Sequence, residues 1–284
     1  MTDASHPLFL FGPGYAATAL ARIWEGAVFG TYRSEEGRKT LDPTSIQAVS
    51  IADKAGLAQG LEQAHLLVSA APGENGCPAF AVISDLADRA SSVTYLSTTG
   101  VYGDLSGGWA MEWTPTNAQS DRAKRRVAAE DAWRAACPDL RTVRLPGIYG
   151  PGRSQLDRVR KGRANRIVKA GQVFSRAHVD DIAAALKALI LCDAKGVFNI
   201  CDEEAAPPQD VTLFAAELLG VTPPPEIAFG DAELTKMGKS FYAECKRVSN
   251  ARLKAATGWR PVFPTYREGL SSIAKRAYTV CDGA

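Results

Sequence analysis

The stretch from Leu8 to Arg33 constrains the fold more than any other part of this 284-residue chain. An apolar run from Leu8 to Phe11 breaks into Gly12-Pro13-Gly14-Tyr15-Ala16-Ala17, a G-x-G-x-x-A elbow. A small-residue segment of helical character follows, and then a second apolar run, Ala27 to Tyr32, that stops at Arg33. Strand, glycine elbow, helix and strand in that order are the pattern of a dinucleotide-binding βαβ unit. Gly12 permits the tight turn out of the strand, and Gly14 lets a pyrophosphate approach the backbone. Ala17 is small enough for the helix to pack closely on the sheet. The helix start then presents N–H groups and a positive dipole end to the phosphates. Gly12, Pro13, Gly14, Tyr15 and Ala16 are therefore the expected cofactor cradle.

The end of the second strand bears on which cofactor. Preference for NAD calls for an acid about twenty residues past the first glycine. Tyr32 and Arg33 stand there, and no acid appears before Glu35. Arg33, helped by Arg38 or Lys39, suits a 2′-phosphate, so NADP is the expected cofactor and NAD the alternative.

Composition narrows the function class. The chain is 46% hydrophobic, enough for a large core, and its net charge of +2 gives no field that would draw nucleic acid. Six dispersed cysteines and three histidines show no metal-ligand spacing, so no metal is expected. The first residues, MTDASHP, carry no charged and apolar leader pattern, and no apolar stretch is long enough for a membrane span. A soluble cytoplasmic protein is expected, with a small-molecule partner rather than nucleic acid or membrane.

Apolar runs alternate with helical patterns along most of the chain. Strands are expected around 46–51, 65–71, 93–96, 140–145 and 197–200, and helices around 57–64, 78–90, 121–136 and 180–191. That rhythm predicts an α/β fold, a Rossmann-like doubly wound parallel sheet. Ligands bind beyond the carboxyl ends of such strands, which adds Ala70, Ala71, Pro72, Thr98 and Pro146 to the candidate site. Residues 1–150 are read as the NAD(P)-binding domain, with 177–201 completing its sheet. Residues 151–176 and 202–284 are read as a smaller lobe on the substrate side.

Several segments together resemble the extended or atypical short-chain dehydrogenase/reductases, the NAD-dependent epimerase/dehydratase-like group. They are FGPGYAA at the start, YLSTTGVYGD at 95–104, VRLPGIYGPGR at 143–153, AHVDDIAAAL at 177–186, VFNICD at 197–202 and KRVSNARLKAATGWRP at 246–261. The resemblance implies that a Ser or Thr after the strand at 93–96 hydrogen-bonds the substrate oxygen. That role falls on Thr98, with Thr99 its neighbour. It also implies a Tyr in a Y-x-x-x-K motif as general acid/base, its pKa lowered by the Lys.

The chain departs from that pattern. No tyrosine lies between Tyr102 and Tyr149. In one register Ser120 and Lys124 take the Tyr and Lys positions. In the other Arg122 and Arg126 do, and the spacing to Glu130 favours this second register. A serine is too weak an acid to replace a phenol, and an arginine stays protonated near neutral pH. Arginine can stabilise an oxyanion or bind a phosphate but shuttles protons poorly. Tyr102 and Tyr149 are candidate substitutes, though packing is the commoner role of tyrosines at strand ends. Hydride transfer itself belongs to the cofactor and survives the loss.

Residues 151–176 concentrate Arg153, Arg158, Arg160, Lys161, Arg163, Arg166, Lys169 and Arg176 against the single acid Asp157. An anionic, phosphorylated or sugar-like substrate suits that segment; a solvated basic helix is the alternative. Epimerase-like members often carry an Arg four residues before the His of H-V-x-D, where this chain has Phe174. His178 and Asp181 are read as a helix start near the pocket. Trp109 and Trp113 are read either as a flap or as local core. The expected function is an NAD(P)-dependent oxidoreductase or epimerase/dehydratase-like enzyme with a non-standard site. The alternative is a non-catalytic, NADP-sensing regulatory protein.

Overall fold

The computed structural model describes residues 6–281. Seven strands form the central sheet: β1 (Leu8–Phe11), β2 (Val28–Tyr32), β3 (Gln47–Ser50), β4 (His65–Val68), β5 (Ser92–Thr98), β6 (Arg141–Leu145) and β7 (Gly196–Asn199). Their order is β7-β6-β5-β4-β1-β2-β3, and every neighbouring pair is parallel. The fold is the Rossmann-like doubly wound sheet. β1 and β4 are buried at every position because helices cover both faces, which is why they read as unbroken apolar runs.

One face carries helices α1 (Tyr15–Ala21) and α3 (Val179–Leu191), packed through Leu20, Ile182, Leu186 and Leu189. The other carries Lys54–Leu61, Pro78–Ile83 and α2 (Asp121–Ala136), packed through Leu57, Ile83 and Trp133. A separate cluster joins Tyr149, Leu156, Val211, Tyr266 and Leu270, bringing together helices α4 (Pro208–Leu218) and α5 (Tyr266–Cys281).

β1 lies between strands reached by connections running in opposite directions, so a crevice opens at its carboxyl end, between it and β4. The elbow and the segment after β4 meet in that crevice.

Some expected boundaries shift. The fourth strand stops at Val68 rather than Ala71, because Ser69 and Ala70 both donate to the Phe11 carbonyl and turn the chain. The helix expected over 78–90 holds only to Ile83, and residues 84–89 continue as a tighter 3₁₀ turn. A short helix, Glu35–Lys39, forms in the polar stretch that follows β2. Its cap is Ser34, whose hydroxyl accepts from the Gly37 N–H.

Candidate functional site

Gly12 is at φ +74°, a conformation that favours glycine, and a Cβ there would lie 2.7 Å from Ala70 Cβ. Two polar side chains brace the elbow. The Gly12 N–H donates to Thr31 Oγ1 at 2.9 Å, and Ser69 Oγ donates to the Gly12 carbonyl at 2.7 Å. Sequence reasoning missed both; their only signal is a hydroxyl at or just beyond a strand end otherwise built from apolar residues. Gly14 caps α1 and meets open space. A Cβ there would find its nearest neighbour, Ser69 Oγ, at 3.8 Å. Ala16 and Ala17 are buried under the helix, as close packing requires.

These features fit a dinucleotide: a backbone turn held open by its own braces, with room where a diphosphate would lie. Tyr15 points elsewhere than a simple cradle residue would. Its hydroxyl donates to the Pro151 carbonyl at 2.9 Å, and the Arg153 guanidinium stacks 5.7 Å from its ring. It ties the elbow to the turn that opens the 151–176 segment. Gly150 makes that contact feasible, since a Cβ there would stand 2.4 Å from the Tyr15 hydroxyl.

Arg33 is exposed at the end of β2 and makes no ion pair among the described residues. Arg38 is occupied instead, bonded to Glu35 at 2.8 Å and Asp42 at 3.3 Å. Lys39 is exposed. Ala70 sits against Gly12, Ala71 is exposed, and Pro72 and Pro146 are half-buried beyond β4 and β6.

Thr98 ends β5, half-buried, with Oγ1 accepting from the Gly100 N–H at 3.2 Å. Its hydroxyl proton is thereby left to point elsewhere. Thr99 is buried. Helix α2 starts against this turn, because Ala123 packs beside Gly100. Ser120 caps that helix by accepting from the Ala123 N–H at 3.3 Å. Lys124 and Arg122 are exposed. Arg126 turns inward: its guanidinium donates to the Leu96 carbonyl and, at 3.3 Å, to the Tyr95 hydroxyl. The structure therefore ties Arg126 to β5 at Tyr95 and Leu96, the strand that ends at Thr98, and leaves Arg122 exposed one turn earlier on the helix.

A buried ion pair fixes this helix. Arg144 Nε donates to Glu130 Oε1 at 3.1 Å and Nη2 to Oε2 at 2.7 Å, with both side chains almost fully buried. The Arg144 guanidinium also lies 4.8 Å over the Tyr102 ring.

Neither of the two substitute phenols, Tyr102 and Tyr149, is a ready acid. Tyr102 is buried and donates to Asn199 Oδ1 at 2.8 Å; burial raises its pKa, partly offset by Arg144. Tyr149 is buried too, donating to the Thr265 carbonyl at 3.4 Å, and desolvation carries it above the ordinary phenol range. Burial pushes Tyr95 up to about 12 against the pull of Arg126.

His178 and Asp181 hold the start of α3. His178 Nδ1 accepts from the Asp180 N–H at 3.2 Å, which fixes the proton on Nε2. Asp181 accepts from the Val262 and Phe263 N–H groups at 2.7 and 3.0 Å, so it anchors the C-terminal lobe segment. Desolvation lowers the His178 pKa to about 4, with the Asp180 charge opposing it. A depressed histidine keeps its full stabilising contribution above its unfolded pKa of about 6.5 and loses it as pH falls towards 4. The loss amounts to about 3 kcal/mol. Asp202, raised to about 8 by burial, gains stability as pH falls over the same range, so the His178 share is read as a difference between two proteins. In denaturant titrations between pH 7.5 and pH 4 the parent chain should lose about 3 kcal/mol relative to His178→Asn, which keeps a capping acceptor and removes the titration; parallel pH profiles would refute the assignment.

Trp109 and Trp113 are exposed at 56% and 74%, so neither is core. The basic segment does not form one face. Arg166 pairs with Glu226 at 2.7 Å, Lys169 donates to the Tyr242 carbonyl, and Arg176 Nη1 donates to the carbonyls of Phe174 and Ala206. Among the described residues no three metal-ligating side chains cluster, and no helix is long and apolar enough to cross a membrane.

No family model matches the chain. A 3-diazoavenalumate denitrifying reductase from Streptomyces sp is 30% identical over 158 residues, 51% of this chain and 51% of that protein. Protein YeeZ from Escherichia coli (strain K12) is 32% identical over 150 residues, 50% of this chain and 52% of its own length. The chain thus spans about half the length of the curated relatives it matches. Among solved structures, a functionally unknown conserved protein from Silicibacter pomeroyi DSS superposes with a TM-score of 0.88 at 40% identity, covering 96% of this chain and 99% of that one. A human epimerase family protein with NADPH shares the fold, with a TM-score of 0.74 at 16% identity over 95% of this chain and 99% of that one. Taken with the parallel sheet and the braced glycine elbow, these likenesses show a Rossmann-like fold shared over almost the whole chain with the conserved Silicibacter pomeroyi protein and with epimerase-type structures.

Proposed function

We propose that the chain is a cytoplasmic, NADP(H)-dependent reductase that transfers hydride to a small anionic substrate without the Tyr–Lys acid/base pair. The observation that carries this reading is the Gly12–Gly14 elbow, braced by Thr31 and Ser69 and open above Gly14. Residues 1–150 with 177–201 hold the dinucleotide in this reading, and 151–176 with 202–284 cover the substrate. When bound, the cofactor supplies the hydride. Thr98 donates its free hydroxyl proton as a hydrogen bond to the substrate, with Thr99 packing beneath it. Arg126 fixes the strand end through Leu96, and Arg122 offers an exposed cation to an anionic group.

The missing phenol favours acceptors that take a hydride without needing a proton, such as an already cationic centre. The Streptomyces relative named for a denitrifying reduction supports a reductase over an epimerase. The free thiols among the described residues, Cys77 and Cys201 included, suit a reducing cytoplasm.

Arg33 is the 2′-phosphate partner. Arg33→Ala should weaken NADPH binding about tenfold, the loss of one charge-assisted bond, and leave NADH binding unchanged. Equal losses for both cofactors would overturn the NADP assignment. Turnover is read as NADPH oxidation with anionic carbonyl and diazo compounds. A chain that binds NADPH yet consumes none with any of them would instead be the sensor that its closed phenols also allow.

A further inference from the structure

A cavity of about 300 Å³ lies apart from the elbow, under the segment that follows β6. One wall is the parallel pair Gly147–Tyr149 and Arg176–His178, which grows from the carboxyl end of β6. Tyr149, Phe174, Tyr242 and Tyr266 line it, together with Arg158 and Arg176. No carboxylate lines it. Neither arginine makes an ion pair among the described residues: Arg158 donates to the Arg163 carbonyl at 3.3 Å, and Arg176 spends Nη1 on two carbonyls.

A half-buried guanidinium facing a cavity without a counter-ion is costly, because desolvation penalises its charge. Desolvation indeed lowers the Arg176 pKa, against the pull of Asp202. Asp202 does not relieve it directly. Its carboxylate forms no ion pair among the described residues, and burial raises it to about 8, so it is largely neutral near pH 7. Several aromatic walls and two unpaired cations together select a flat ring bearing a negative charge. The volume sits at the lower end of the roughly 300–1,000 Å³ of small-molecule pockets. That leaves room for a single-ring acid.

We infer that this cavity is the substrate-anchoring site, and that it takes a small aromatic carboxylate held by Arg158 and Arg176 between tyrosine rings. The inference deepens the reductase reading and rests on it. It moves the substrate class away from nucleotide sugars.

Calorimetric titration of the full chain with cinnamate, cinnamamide and UDP tests it, with NADPH titrated into the same preparation. Cinnamate should bind at least about tenfold more tightly than its uncharged amide, the value of a charge-assisted bond, and more tightly than UDP. Arg158→Gln, on an exposed side chain, should weaken cinnamate about threefold to tenfold and leave the amide unchanged. Arg176→Gln should erase the preference for acid over amide. Equal binding of acid and amide, tighter binding of UDP, or an unaltered Arg158→Gln variant would overturn the inference. NADPH binding without cinnamate binding would refute this site alone, whereas absence of both would refute the reductase reading as well.

Discussion

Replacing Gly14 with alanine is expected to leave the free protein as stable as before and to weaken dinucleotide binding about a hundredfold. The position makes this separation feasible. Gly14 has φ −109°, which any residue adopts, and its virtual Cβ meets nothing closer than 3.8 Å. The fold has no reason to resist the methyl group. A diphosphate approaching the elbow does, because the methyl occupies the space that lets phosphate oxygens reach the backbone N–H groups. Losing two charge-assisted hydrogen bonds costs about 3 kcal/mol or more, close to two decades in affinity. Gly12→Ala is a poorer probe. It forces a positive φ on alanine and drives a Cβ to 2.7 Å from Ala70, so it would damage fold and binding together. Thermal melting of the free Gly14→Ala protein, beside an NADPH titration, reads both halves of the expectation. Unaltered affinity would mean that the diphosphate lies elsewhere.

The second large effect is expected at Glu130. Its carboxylate takes two hydrogen bonds from Arg144 between helix α2 and strand β6, and both side chains are sealed from water. Glu130→Ala strands the Arg144 charge in the interior, beside the Tyr102 ring and without its bidentate partner. Breaking one side of such a pair typically costs about 3–5 kcal/mol. Replacing both partners by apolar residues, Glu130→Leu with Arg144→Met, should recover most of the loss, because the cost is the orphaned charge rather than the missing attraction. Denaturant unfolding of the single and double variants measures this. A single-variant loss below about 1 kcal/mol would show that water reaches the pair. Arg126 lies one turn earlier on the same helix, so the single variant should also loosen its grip on Leu96.

The sheet and the elbow were legible because their signals are local. Unbroken apolar runs mark β1 and β4, and the glycine spacing marks the turn between strand and helix. Alternation with helices then fixes a parallel arrangement. Thr98 was placed by its distance from Val101-Tyr102-Gly103 in a family pattern. What stayed hidden depends on contacts distant in sequence. Ser69 and Thr31 look like ordinary hydroxyls until the fold sets both on Gly12, 57 and 19 residues away. The basic run at 153–176 reads as a local concentration of charge for an anionic substrate or as a solvated helix, yet it is divided among a helix, two strands and the turns between them. Glu226 and several carbonyls absorb part of it, and two arginines turn into a cavity. Likewise Arg126 and Lys124 are alike in sequence. Helical spacing and the Ser120 cap turn one towards β5 and leave the other in solvent.

Calorimetric titration of the unmodified chain with NADPH and NADH tests the central claim, that the amino-terminal elbow grips a nicotinamide dinucleotide, most directly. Saturable binding of NADPH, about tenfold tighter than NADH through Arg33, is the predicted result. No heat with either coenzyme, at concentrations well above those that saturate ordinary dehydrogenases, would contradict it.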